Sequence, residues 1–252
     1  MKITWDSEVL SSVSKVVDQL EHLSINKDSI ESVADWLAYE EFPIPNSAAV
    51  RDDADDFIRA TMFMNTLNFA FTDFDKSIKY EINKDGKILS DSEAMYFQVN
   101  NAISSGIKLT DGNEMASISL HQLKNIFVGN IEMPMLKERV EILNEVGQKL
   151  VDSYEGDWIN FINNGPKKLY SDGSGLIERL IEEFPRFDDS SQFKESNVKF
   201  YKLAQLAFWV IHAELSGSNY FKIEDMNSMT AFADYIIPVA LNLKNITAYS
   251  PQ

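Results

Sequence analysis

Val198-Lys199-Phe200-Tyr201-Lys202-Leu203-Ala204-Gln205-Leu206-Ala207-Phe208-Trp209-Val210-Ile211-His212-Ala213 is apolar at helical spacing and marks the chain as mainly helical. Val198, Lys202, Leu206, Trp209 and Ala213 fall on one helical stripe, which on its composition should face a core. A lysine interrupts it. Farther on, Met229-Thr230-Ala231-Phe232-Ala233-Asp234-Tyr235-Ile236-Ile237-Pro238-Val239-Ala240-Leu241 carries one carboxylate inside an apolar run. Charges are rarely buried unless they are paired or at work. Lys202 and Asp234 are therefore a candidate catalytic pair. They are expected to meet from different helices across one pocket, with Phe69 or Phe71 lining it. Each has a structural alternative. Lys202 can lay its stem on the stripe and hold its ammonium in water. Asp234 can cap the helix that holds Pro238.

The same periodicity extends outward in both directions. It predicts helices from Asp6 to His22, Asp28 to Tyr39, Ala54 to Phe71, Ser92 to Ser104, Ser119 to Phe127 and Met135 to Ser153. Further helices are expected from Asp157 to Asn163, Gly175 to Phe184, Val198 to Ser216 and Tyr235 to Leu243. Phe42-Pro43-Ile44-Pro45-Asn46 ends the second of these. Ile78-Lys79-Tyr80-Glu81-Ile82, Asn83-Lys84-Asp85-Gly86 and Lys87-Ile88-Leu89 read as a hairpin around an Asp-Gly turn. The loop from Gly165 to Gly175 and the polar stretch from Pro185 to Asn197 are breaks, neither distinct enough to separate a domain. The expected fold is mainly α, a single helical domain over 1–252 with a small β-hairpin.

With 252 residues, 44% hydrophobic and 12% aromatic, the chain can bury a substantial core. The first residues, Met1 to Asp6, have no apolar core of a signal peptide, and no run approaches the roughly 18 apolar residues of a membrane span. The chain holds no cysteine, which excludes disulfides, thiol nucleophiles and zinc-thiolate sites and makes a reducing, cytoplasmic setting the default. Its net charge of −16 repels a phosphate backbone, so duplex nucleic acid is not an expected partner. His22, His121 and His212 share no metal-ligand spacing.

Three further patterns stand beside the pair. Asn65 and Asn68 lie three apart within Met62-Phe63-Met64-Asn65-Thr66-Leu67-Asn68-Phe69-Ala70-Phe71-Thr72-Asp73, where a purine-like edge between Phe69 and Phe71 would satisfy a buried amide. The alternative is a structural asparagine bonded to nearby backbone. Glu138, Arg139 and Glu145 read as a solvated helix face. Asp52-Asp53-Ala54-Asp55-Asp56 matches the acidic bias of a helix N-terminus. Gly173 and Gly175 follow no strand and make no dinucleotide fingerprint.

Phe200-Tyr201-Lys202-Leu203-Ala204-Gln205-Leu206 and Met229-Thr230-Ala231-Phe232-Ala233-Asp234-Tyr235-Ile236-Ile237-Pro238 together resemble the signature of the queuosine salvage proteins. Leu67-Asn68-Phe69-Ala70-Phe71 is similar to that family's asparagine-aromatic helix. The segment Met133 to Gly147 looks like its central helix, and Phe184-Pro185-Arg186-Phe187-Asp188-Asp189 like the lead-in to its lysine helix. The resemblance runs in family order over about residues 55 to 250. It departs at Leu203, where the family usually has arginine. It also implies that the family's C-terminal helices are missing, so that Ile236, Val239 and Leu243 should be less buried than their pattern suggests.

The resemblance implies a fold similar to helix-hairpin-helix DNA glycosylases and a queuosine 5'-phosphate N-glycosylase. Such an enzyme releases queuine and ribose 5-phosphate from a small-molecule nucleotide, without metal or organic cofactor. It assigns catalysis to Asp234 and Lys202, and substrate binding to Asn68, Phe69, Phe71, Asp73, Tyr201 and Tyr235. The alternative is a non-catalytic nucleotide-binding or scaffold protein derived from that family.

Overall fold

The computed structural model describes residues 7–41, 53–218 and 220–250. The first part of the chain forms α1 (Glu8–Ser14), β1 (Leu23–Ile25), α2 (Lys27–Leu37) and α3 (Ala54–Thr66). Four short strands follow: β2 (Thr72–Asp73), β3 (Ile78–Lys79), β4 (Glu81–Lys84) and β5 (Lys87–Ser90). Then come α4 (Asp91–Ser104), α5 (Gly112–Ser117), α6 (Leu120–Ile126), α7 (Leu136–Tyr154), α8 (Trp158–Asn163) and α9 (Leu176–Glu183). The last part holds β6 (Ser190–Phe193), β7 (Ser196–Lys199), α10 (Lys202–Leu215), α11 (Ile236–Leu243) and β8 (Thr247–Tyr249). The protein is mainly α, and its strands pair as small antiparallel ladders: β1 with β8, β2 with β3, β4 with β5, β6 with β7.

The chain divides into two compact units. One draws on Met1–Asn46, Asp189–Lys202 and Asn227–Gln252, the other on Ser47–Asp188 and Leu203–Met226. In the first, α1 packs on the β6–β7 hairpin, burying Val9, Val16 and Val198. Ser12 Oγ accepts the Lys199 N–H at 2.9 Å. The helix expected to reach His22 stops at Ser14. Ser11, Ser12 and Ser14 each donate a hydroxyl back to a carbonyl three residues earlier, which competes with helical bonding. The chain then passes through a short 3-10 turn at Val17–Gln19 into β1. β1 joins β8 in the register Leu23↔Tyr249. Nothing in α11 is buried: Ile236, Val239 and Leu243 are 55%, 54% and 77% exposed, the low burial anticipated for them.

The larger unit is built on local capping chemistry. Asp53, Ser119 and Asp157 each accept a backbone N–H at the start of α3, α6 and α8. The Asp-Gly hairpin forms as expected. Lys84 pairs with Lys87, and Asp85 and Gly86 supply the two positive φ angles of a type I′ turn, 51° and 85°. The core gathers Trp158, Phe161, Phe184 and Phe187, with the Trp158 and Phe184 ring centroids 4.8 Å apart. At Gly147, α7 comes so close to α5 that an added Cβ would lie 2.3 Å from the Ala116 nitrogen.

Candidate active site

The approach to Lys202 is set by a tight change of direction. β7 ends at Lys199 and α10 begins at Lys202, so two residues must turn strand into helix. Phe200 and Tyr201 both donate their N–H groups to the Asp189 carbonyl, at 2.8 and 3.2 Å. Tyr201 adopts φ 51°, the left-handed region that a bulky residue occupies at a cost of about 1–3 kcal/mol. Its ring is 1% exposed and its hydroxyl donates to Glu8 Oε2 at 3.3 Å. The same carboxylate oxygen binds Lys199 Nζ at 2.6 Å. Burial works against charge on Lys199, but Glu8 and Tyr201 outweigh it and hold that ammonium above the ordinary lysine range.

Lys202 Nζ lies 3.0 Å from Asp234 Oδ2. The other oxygen, Oδ1, accepts the Ile236 N–H at 3.0 Å. Asp234 therefore partners Lys202 and also accepts the first N–H of α11, standing one residue before the helix's N-cap, Tyr235. Burial pushes its carboxyl up. The Ile236 N–H and Lys202 push it down more strongly, leaving it below the usual range and ionised at neutral pH. The two side chains are 21% and 29% exposed, half-sheltered from solvent. Tyr235, next in the chain, is largely exposed.

The stripe that singled out Lys202 is not the buried one. On α10 the buried residues are Leu203, Ala204, Gln205, Ala207, Phe208, Ile211 and Leu215. Lys202, Leu206 and Trp209 lie on the half-buried side, Ala213 is exposed, and Val198 belongs to β7. The lysine thus interrupts no core. Both faces of the segment are apolar, so spacing alone could not rank them.

In the larger unit, α3 ends at Thr66, five residues short of the helix end expected at Phe71, and Asn68, Phe69 and Phe71 follow it. The cause is Arg139. It is wholly buried on α7, a correction to the solvated face on which only Glu138 and Glu145 are exposed. Its guanidinium donates to the carbonyls of Pro134 (3.0 Å), Leu67 (2.5 Å), Ala70 (2.9 Å) and Phe69, holding the segment out of the helix. Burial and nearby Arg186 push that guanidinium down to about 9, so it stays charged at neutral pH. Phe69 stacks 4.3 Å from the Arg139 guanidinium carbon and 4.5 Å from that of Arg186, and Phe71 lies 5.2 Å from Arg139. Both rings remain half-buried.

Asn65 and Asn68 divide the two readings between them. Asn65 is buried and donates to the Thr61 carbonyl, a structural asparagine on its donor side, while its Oδ1 has no hydrogen-bond partner among the described residues. Asn68 donates to the Tyr96 hydroxyl at 3.0 Å, and burial pushes that phenol up to about 12. Asp73 binds Lys76 through both ammonium and backbone N–H, closing its own β2–β3 hairpin. Two cavities, about 490 and 420 Å³, open elsewhere: one beside Arg59 and Asp157, one beside Glu8 and Lys199. Neither is lined by Lys202 or Asp234. Among the described residues no group of three His, Asp or Glu could hold a metal ion. No helix of the described residues is long and apolar enough to cross a membrane.

A family model described as "Queuosine salvage protein" matches residues 48–252. The chain belongs to the queuosine salvage protein family. A relative from Sphaerobacter thermophilus is 26% identical over 246 residues, 96% of this chain and 74% of that protein. One from Bos taurus is 30% identical over 75% of this chain, and one from Mus musculus 29% over 79%. This chain spans only 54% and 59% of those two proteins. All three carry the name queuosine 5'-phosphate N-glycosylase/hydrolase. The salvage-family match takes in Lys202 and Asp234 as well as the Arg139-held aromatics, but not Glu8. The pattern around Arg139 gives little sign of its burial. The only signal is its place on a helix whose neighbours, Leu136 and Leu143, are core residues.

Proposed function

We propose that this chain hydrolyses the N-glycosidic bond of queuosine 5'-phosphate, releasing queuine and ribose 5-phosphate for salvage into tRNA. The observation that carries the reading is the Lys202–Asp234 ion pair within a segment matched to the salvage family. As the glycosidic bond breaks, positive charge builds on the ribose and negative charge on the departing base. A fixed carboxylate stabilises that cation better than bulk water does, because its orientation costs nothing at the moment of reaction. Asp234 also orients or deprotonates the water that adds to the anomeric carbon, while the base leaves and gains a proton. A 7-deaza base lacks the nitrogen through which purines are usually activated to leave, so cation stabilisation bears more of the barrier. Lys202 holds Asp234 ionised and anchors ribose or phosphate oxygens.

In this reading Phe69 and Phe71 offer stacking surfaces for the base. Asn68 offers amide hydrogen bonding, and Asp73 and Tyr235 complete the substrate-binding set, whereas Tyr201, which the resemblance names with them, is only 1% exposed and acts from behind the site. The fold is of the helix-hairpin-helix glycosylase kind, which its mainly helical content supports. The enzyme works in the cytoplasm on a free nucleotide, without cofactor, and does not take duplex nucleic acid. Incubation with queuosine 5'-phosphate followed by chromatography tests the reading, with stoichiometric queuine and ribose 5-phosphate expected. Saturable binding without product would instead identify a nucleotide-binding protein derived from the family.

A further inference from the structure

We infer that Tyr201 is a positioning residue which, anchored to Glu8 on α1, fixes the turn that aims Lys202 at Asp234. The catalytic meaning of this arrangement rests on the glycosylase reading above. Three observations converge on Tyr201. It holds the one left-handed angle between β7 and α10, directly before the lysine. Its ring is shut away from solvent, so it presents no face to a substrate. Its hydroxyl meets a carboxylate, Glu8, that also binds Lys199 on the far side of the turn.

A strained turn persists only where its surroundings over-determine it. Here the Asp189 carbonyl fixes the turn's backbone and Glu8 fixes its side chain, so the ring cannot swing without dragging the first turn of α10. Lys202 is the first residue of that helix, and the direction of its stem follows. The 3.0 Å approach to Asp234 thus depends on a carboxylate nearly two hundred residues earlier in the chain.

The experiment measures two things on the full chain: queuine release, and the ¹³C-methyl resonance of reductively methylated Lys202, assigned by its loss in Lys202→Arg. In the wild type, Asp234→Asn should move that resonance. In Tyr201→Phe, which keeps the ring and the fold, the resonance should shift toward its Asp234→Asn position. There kcat should fall about tenfold with KM within about twofold, as expected when a reacting group is misplaced but not removed. Glu8→Gln should act in the same direction. The double variant should fall no further than the worse single one, because the two residues act as one unit. An unmoved Lys202 resonance in both single variants would overturn the inference, whatever happens to thermal stability. If the wild type releases no queuine, the glycosylase reading falls and the resonance alone decides whether Tyr201 positions Lys202.

Discussion

Asp234 carries two bonds on two oxygens, and the two can be separated by substitution. Asp234→Asn keeps an acceptor for the Ile236 N–H while removing the negative charge that, in the proposed reaction, would face the ribose cation. Turnover should fall at least about a hundredfold, with substrate binding changed far less, because the cation exists only near the transition state. Single-turnover queuine release beside a binding titration checks this, and near-normal turnover would leave Asp234 a helix cap only. Lys202→Met should weaken binding as well, and more for queuosine 5'-phosphate than for the unphosphorylated nucleoside, if the ammonium anchors phosphate. Equal losses for both ligands would restrict the lysine to partnering Asp234. His212 supplies a pH test of stability. Its Nδ1 accepts the Ile223 N–H, and burial and then Lys222 hold it below the usual histidine range. The unfolded chain therefore binds this proton first, so its contribution is intact above about pH 6.5 and is lost as pH falls toward the folded value. Urea unfolding at several pH values should show stability declining on acidification below about 6.5, with a shallower decline in His212→Gln. Identical slopes would remove His212 as the cause.

Elements here end where tertiary partners make them end. α3 carries good helical spacing beyond Thr66, yet four carbonyls from Pro134 and the Leu67–Ala70 segment converge on one guanidinium. Arg139→Met would leave those carbonyls unsatisfied in a buried place, at about 1–3 kcal/mol for each that stays dry. A loss of at least about 3 kcal/mol of unfolding free energy is expected, with Phe69 and Phe71 released from their stacking partner. Denaturant melts measure the first effect, and loss of ligand binding at a still-folded temperature the second. A stability change below about 1 kcal/mol would mean that water reaches the site. α1 shows the opposite limit, an element cut short by its own serines, whose hydroxyls bond back to the chain. That outcome was written locally, but among several competing local signals.

The molecule as a whole is strongly anionic, with 39 acidic against 23 basic side chains. A fluorescent DNA or RNA duplex should therefore show no saturation below about 100 μM protein near physiological salt, weaker than ordinary non-specific binders. Saturation at micromolar protein would expose a basic surface that the total conceals. Sign of charge, the Asp-Gly turn and the starts of α3, α6 and α8 were determined by the sequence itself, because each depends on groups within a few residues. Lys202 and Asp234 stood out as two charges against apolar neighbours, and they do meet at 3.0 Å, although the lysine interrupts no core. Which face of α10 is buried was not legible, since both faces are apolar and only the packing chooses. Nor was the β6–β7 hairpin, whose turn at Lys194 takes φ 51° without glycine, asparagine or aspartate. Arg139 looked like a surface charge because three of its four carbonyl acceptors lie about seventy residues away in the chain. β1 and β8 pair across more than two hundred residues, and Glu8 reaches Tyr201 across nearly as many. Local chemistry fixes where an element can begin, whereas burial, helix ends and the aim of a side chain such as that of Lys202 depend on partners that only folding brings within reach.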